Sequence, residues 1–213
     1  MRVGVFDSGV GGKSVASAIG KALPRVEVIF VNDREHMPYG SKSPEVLYAL
    51  VLPILQDLAS RTDVIVVACN TVSTTLIKQL REIITTPLVA MEPMVKPAAK
   101  QTKSKTIAIC ATPTTLASAR YKQLKTEYAK DITVLEPDCS DWSSMIENNS
   151  VDRQLVQERI DAACVAGADV IVLGCTHYHW IEDQISEATR GRAVVMQPEA
   201  AVIRRLERII SEP

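Results

Sequence analysis

The sequence predicts an α/β fold made of two pseudo-symmetric, three-layer halves with mainly parallel sheets, and a pair of cysteines facing one ligand. Three observations carry that prediction. Short β-branched runs alternate with longer helical patterns along the chain, as expected for parallel strands joined by crossover helices. Two of those runs echo one another: residues 63–71 read Asp-Val-Ile-Val-Val-Ala-Cys-Asn-Thr, and residues 169–177 read Asp-Val-Ile-Val-Leu-Gly-Cys-Thr-His. Each apolar run is short enough for a strand buried on both faces and ends in a cysteine followed by polar residues that open a helix. Both thiols are thereby placed at strand carboxyl ends, where open α/β sheets bind ligands.

The elements follow in order. Residues 2–6 form a buried strand, and Asp7-Ser8-Gly9-Val10-Gly11-Gly12 makes a glycine-rich loop opening a helix to about Leu23. Such a loop lets backbone N–H groups approach a ligand, but its spacing is not that of a dinucleotide fingerprint. A strand over Val26–Val31 leads to a long loop, Asn32 to Ser43, containing Met37-Pro38-Tyr39-Gly40. Ser43-Pro44 is a good helix start, and Pro53 is expected to kink or restart that helix before Ser60. The strand ending at Cys69 is followed by a helix over Val72–Ile84 and a short strand, Pro87–Met91. The pattern pauses near Glu92–Pro97, which predicts one unit of residues 1–93 plus 198–213 and a second of 94–197. The second unit begins with a helix to Lys103, a strand Lys105–Cys110, a polar loop over 111–115 and a helix to Tyr128. Next come a strand Ile132–Glu136, a short helix Asp141–Asn148 and an amphipathic helix over 150–166. The strand reaching Gly174, a helix from about Trp180, a strand Ala193–Met196 and a helix from Pro198 complete the chain. Val202, Ile203, Leu206 and Ile209 share one face of that last helix, which is expected to pack back on the first unit.

Composition narrows the class. The 213 residues carry 24 basic and 25 acidic side chains, a net charge of −1, which offers no surface for nucleic acid or an anionic membrane. No apolar run reaches a membrane span, and Met1-Arg2-Val3-Gly4 runs straight into a strand without a signal-peptide pattern. Five scattered cysteines predict reduced thiols and a cytoplasmic protein. Cys110, Cys139 and Cys164 read as core residues and His36 as a solvated loop residue. Cys175-x-His177-x-His179 has no second ligand cluster beside it, so no metal is predicted.

Phe6-Asp-Ser-Gly-Val-Gly-Gly12, Pro38-Tyr-Gly-x-Lys-Ser43, Ala68-Cys-Asn-Thr71 and Leu173-Gly-Cys-Thr-His-Tyr178 together resemble the glutamate racemases of the aspartate/glutamate racemase family. Glu92-Pro-x-x-Lys-Pro-Ala98 and Ala111-Thr-x-x-Thr-x-x-Ser118 also match, so the resemblance covers nearly the whole chain. It implies a cofactor-independent amino-acid racemase with its active site in the cleft between two α/β domains and glutamate as its small-molecule partner, and is compatible with a homodimer. It further implies that Cys69 and Cys175 are the two catalytic bases, acting on D- and L-glutamate respectively. Asp7, His177 and Glu147 would assist proton transfer; Glu147 serves equally well as a helix-end carboxylate. Substrate would be held by Asp7, Ser8, Tyr39, Gly40, Asn70, Thr71, Thr115, Thr176 and His177. The chain ends soon after Pro198-Glu199-Ala200-Ala201, where the family is expected to continue with another strand and helix.

The residue types suit the chemistry. Racemisation removes the Cα proton on one face and returns a proton on the other, so one group starts as thiolate and its counterpart as thiol. A free thiol has a pKa near 8.5, which makes both forms accessible. A helix start after each cysteine is expected to favour thiolate and to bind the substrate carboxylate. Asp7 also suits the role of helix cap. Without pyridoxal phosphate there is no electron sink, so a closed, desolvated cleft is expected. Two rivals remain at this point. An aspartate racemase would tend to place Glu where His177 stands, and a binding protein that has lost turnover would keep the pocket without exchange.

Overall fold

The computed structural model describes residues 1–211. The first sheet contains β1 (Arg2–Asp7), β2 (Glu27–Asn32), β3 (Val64–Val67) and β4 (Leu88–Ala90), in the order β2-β1-β3-β4. The second contains β5 (Thr106–Ala111), β6 (Thr133–Leu135), β7 (Val170–Gly174) and β8 (Val194–Met196), in the order β6-β5-β7-β8. Every pairing is parallel. The two sheets thus repeat one topology, with the second strand of each on one flank and the third and fourth on the other.

Helices cover both faces of each sheet, giving two three-layer α/β halves. In the first half, α1 (Gly12–Ala22) and α11 (Glu199–Ser211) share one face, where Val15, Ile19, Val202 and Leu206 pack with Val3, Val5, Val64 and Val66. On the other face lie α2 (Pro44–Ser60), α3 (Asn70–Thr75) and α4 (Ile77–Ile83). In the second half, α5 (Val95–Gln101), α6 (Pro113–Ala117) and α7 (Ala119–Tyr128) lie toward one side. The opposite side carries α8 (Trp142–Glu147), α9 (Arg153–Val165) and α10 (Glu182–Thr189). Strands β3 and β7 are buried along their whole length, which explains why their sequences show no polar alternation. No helix among the described residues is long and apolar enough to cross a membrane.

The structure corrects several local expectations. Helix α2 runs unbroken through Pro53, held by Leu47, Val51, Leu55 and Leu58 on its buried face. The lost backbone bond at the proline is outweighed by burial of about 1.5–3 kcal/mol per such side chain. The helix expected over Val72–Ile84 is two helices, interrupted at Leu76 (φ −115°). Thr74 and Thr75 hydroxyls donate to the carbonyls of Asn70 (2.9 Å) and Thr71 (2.6 Å) at that break, competing with regular helix continuation. Residues 111–115 are not simply a polar loop: Thr112 caps α6, which begins at Pro113, and Ser118 ends it and caps α7. The helix expected from Trp180 is preceded by a 3-10 segment, Thr176–Ile181. The long loop after β2 contains two 3-10 turns, Arg34–His36 and Tyr39–Ser41.

Candidate active site

Strand register brings the sequence-distant motifs together. Phe6 pairs with Val67, so the chain leaving β1 into the glycine loop lies beside the chain leaving β3 toward Cys69. Ala111 pairs with Gly174, which sets Thr112 beside Cys175 in the second half. The carboxyl ends of both sheets face one cleft.

Asp7 organises the first wall of that cleft. It is fully buried, and its Oδ2 accepts the backbone N–H groups of Gly12 (2.8 Å) and Gly9 (3.4 Å). The Thr176 hydroxyl, from the other half, donates to the same carboxylate at 3.1 and 3.3 Å. Asp7 therefore does the work of a helix cap from the end of a strand, since Gly11 has no capping side chain. Burial raises its pKa, against the lowering influence of His177 and the backbone donors. Gly9 is required where it stands, because a Cβ there would collide with Glu147, Met37 and His177.

Cys69 and Cys175 are 4% and 7% exposed and line the same cavity of about 20 Å³. The Cys69 thiol donates to the Ser8 hydroxyl at 3.6 Å, and Cys175 Sγ lies 3.7 Å from His177 Nδ1. The helix starts that follow favour thiolate, as expected, but burial outweighs them. Burial pushes Cys69 up to about 12, with Asp7 adding to it, and the N–H groups of Val72 and Thr71 offset only part. Burial likewise raises Cys175, against the N–H groups of His177 and Tyr178. Desolvation of a small anion outweighs a few backbone dipoles.

Beyond Cys175 a chain of polar contacts continues. His177 Nε2 lies 2.8 Å from Glu147 Oε1, which also accepts the Val10 N–H at 2.7 Å. Glu147 Oε2 lies 3.2 Å from the Arg34 guanidinium. Burial works against the Glu147 carboxylate, yet Val10, His177 and Arg34 together hold its pKa below the usual value.

The remaining residues divide into those at the cavity and those behind it. Ser8, Tyr39, Gly40, Asn70, Thr71, Thr176 and His177 line it with the two cysteines. Asp7 and Thr115 sit behind the wall, Thr115 being fully buried and 3.0 Å from the Thr112 hydroxyl. Glu147 lines the adjoining cavity with Arg34. Tyr39 presents its ring, while its hydroxyl donates to Asp33 at 2.6 Å. His36 is exposed, in keeping with its reading as a solvated loop residue, and its Nδ1 lies 2.8 Å from the same Asp33. Asn70 donates to the Met91 carbonyl at 3.0 Å, and its buried Oδ1 has no hydrogen-bond partner. Three lining residues escape sequence reasoning: Met37, Thr112 and Ser143. Thr112 stands within a quoted motif and bonds Thr71 across the cleft at 3.0 Å; Met37 and Ser143 carry no local signal. His179 turns to Ser14 and Glu199, each 3.2 Å from its Nδ1, and no cluster of three metal-ligating side chains occurs among the described residues. A cavity of about 430 Å³ lies between β4, α5, α7 and α11 and is lined by neither Cys69 nor Cys175.

The sequence profile of the Asp/Glu/hydantoin racemase family matches residues 12–204. The chain belongs to this family. Among its relatives, a glutamate racemase of Pseudomonas syringae pv. tomato is 37% identical, the match covering 98% of this chain and 78% of that protein. One from Pseudomonas aeruginosa is 38% identical over 98% and 81%. The Escherichia coli glutamate racemase, solved with L-glutamate and the activator UDP-MurNAc-Ala, superposes with a TM-score of 0.90 at 28% identity, covering 99% of this chain and 82% of that one. The Francisella tularensis glutamate racemase, solved with D-glutamate, gives 0.84 at 26% identity, covering 99% and 81%.

Proposed function

We propose that this chain is a cofactor-independent glutamate racemase that interconverts L- and D-glutamate through Cys69 and Cys175. The observation that carries the reading is the pair of buried thiols on one small cavity, one from each half. One thiolate takes the Cα proton, leaving a carbanion, and the opposing thiol delivers a proton to the other face. The product enantiomer then leaves with the two sulfurs in exchanged protonation states. Because burial raises both thiols, the thiolate is a strong base once formed, suited to a weakly acidic C–H whose pKa lies far above that of a thiol.

Each thiol has its own helper. At 3.7 Å, His177 Nδ1 is placed to exchange a proton with Cys175, with Glu147 behind it. Cys69 has the Ser8 hydroxyl and the charge of Asp7 nearby. The unpartnered Asn70 Oδ1 suits the substrate ammonium as an acceptor, and the Thr71 and Thr112 hydroxyls suit a carboxylate. Asp7 fits better as an organiser of the glycine loop than as a direct ligand, since its oxygens are already engaged. Two structural units, residues 1–93 with the segment from 198, and 94–197, suit this chemistry, supported by α11 packing on the first sheet. A cytoplasmic enzyme supplying D-glutamate to peptidoglycan is the setting that fits this reading, and family membership and five unpaired cysteines support it.

The test is Cα-hydrogen exchange in D₂O with both enantiomers of glutamate and of aspartate. Exchange with inversion on glutamate, lost in Cys69→Ala and in Cys175→Ala, is the expected result. Exchange on aspartate alone would keep the mechanism and change the substrate. Binding of glutamate without any exchange would sink the racemase reading.

A further inference from the structure

We propose that Arg34 is a positioning residue for proton transfer at Cys175, reaching from the first half to hold the Glu147 carboxylate in line with His177. The inference rests on the racemase reading above. The two oxygens of Glu147 divide their duties. Oε1 receives the Val10 N–H and His177 Nε2, at 2.7 and 2.8 Å, while Oε2 meets the Arg34 guanidinium at 3.2 Å. Contacts on one oxygen leave a carboxylate free to rock about its last bond. A cation on the second oxygen fixes its plane.

The arrangement also selects a histidine tautomer. With Glu147 ionised, Oε1 is an acceptor only, so Nε2 carries a hydrogen, and in the neutral imidazole Nδ1 then keeps a lone pair toward Cys175, 3.7 Å away. A protonated Glu147 could instead donate to Nε2, which would leave the hydrogen on Nδ1, facing the thiol it is meant to relieve of a proton. Arg34 opposes that outcome, as one of the contacts that lower the Glu147 pKa against the effect of burial. The charged and titratable groups facing Glu147 are Arg34 from the loop after β2 and His177 from the 3-10 segment; Asp7 acts on His177 from behind.

Position supports a coupling role. Arg34 is 60% exposed, and it lines a cavity of about 230 Å³ with Met37, Pro38, Ser144, Glu147 and Asn148. That cavity shares Met37 and Pro38 with the one holding the cysteines. The guanidinium thus stands at the mouth of the site, and its contact with α8 exists only when the two halves meet.

The experiment compares wild type, Arg34→Gln and Arg34→Lys by kcat and KM for both glutamate enantiomers, and by the pH profile of kcat/KM. Arg34→Gln is expected to lower kcat about fivefold with little change in KM, the range for a partly exposed ion pair. Its acidic limb moves to higher pH, because Glu147 loses a neighbouring cation and protonates more readily. Arg34→Lys restores most of both effects. A raised KM with kcat and the acidic limb unchanged would make Arg34 a substrate contact and overturn the inference, as would no change at all. Wild-type protein inert toward glutamate would overturn the racemase reading and this inference together.

Discussion

At the scale of single residues, the site depends on how strongly burial outweighs local polarity. Cys69 follows a strand, precedes a helix and touches a hydroxyl, yet its thiol is pushed up to about 12 because little solvent reaches it. Below that pKa each pH unit changes the thiolate fraction tenfold. Alkylation of Cys69 by iodoacetamide, followed by peptide mass mapping, should therefore rise steadily from pH 7 to 10. A plateau near 8.5, the behaviour of a free thiol, would contradict the assigned environment. The pairing of Cys69 and Cys175 at one cavity was legible in the sequence because the signal is local: an acidic residue, an apolar run, a small residue and the thiol, twice. Their protonation tendency was not, since it depends on what the opposing half covers. Met37 and Ser143 were equally invisible, entering the cavity only through the packing of the loop after β2 and of α8.

Among elements, long strands and amphipathic helices could be read with little error, and breaks could not. The hydrophobic pattern of Val72–Ile84 reads as one helix because periodicity says nothing about Thr74 and Thr75 turning their hydroxyls onto the backbone. The proline within α2 misleads in the opposite direction, since four buried side chains hold the helix across it. Helix α11 shows the pattern working: Val202 and Leu206 are buried against β1 and β3, with Ile203 and Ile209 at the margin. Leu206→Ala should cost about 2–5 kcal/mol, as other fully buried leucines do. Urea unfolding should show a lower midpoint, whereas an unshifted midpoint would mean that α11 is dispensable to the first half.

For the whole molecule, the decisive features are contacts made between the halves. The Val10 N–H is bonded not to its own half but to Glu147, and Asp7 is bonded by Thr176. A cavity of about 20 Å³ is too small for an amino acid, so admitting one requires its lining to move. Hydrogen exchange should report that motion. The Val10 amide is expected to exchange faster than amides inside β1, and to slow at saturating glutamate; equal protection in both states would argue against opening. The two sheets repeat one strand order and each delivers one cysteine, an arrangement related by rotation. The two substrates proposed for it are related by reflection. Rotation never converts a hand into its opposite, so a perfectly dyadic pocket would treat left and right unequally in where it seats their substituents. The nearest polar neighbours differ between the halves, a hydroxyl 3.6 Å from one sulfur and an imidazole nitrogen 3.7 Å from the other. Mirror-image molecules have equal free energy in water, and an enzyme serving both benefits when neither sulfur traps the proton. Two thiols raised in the same direction by the same cause come close to that parity.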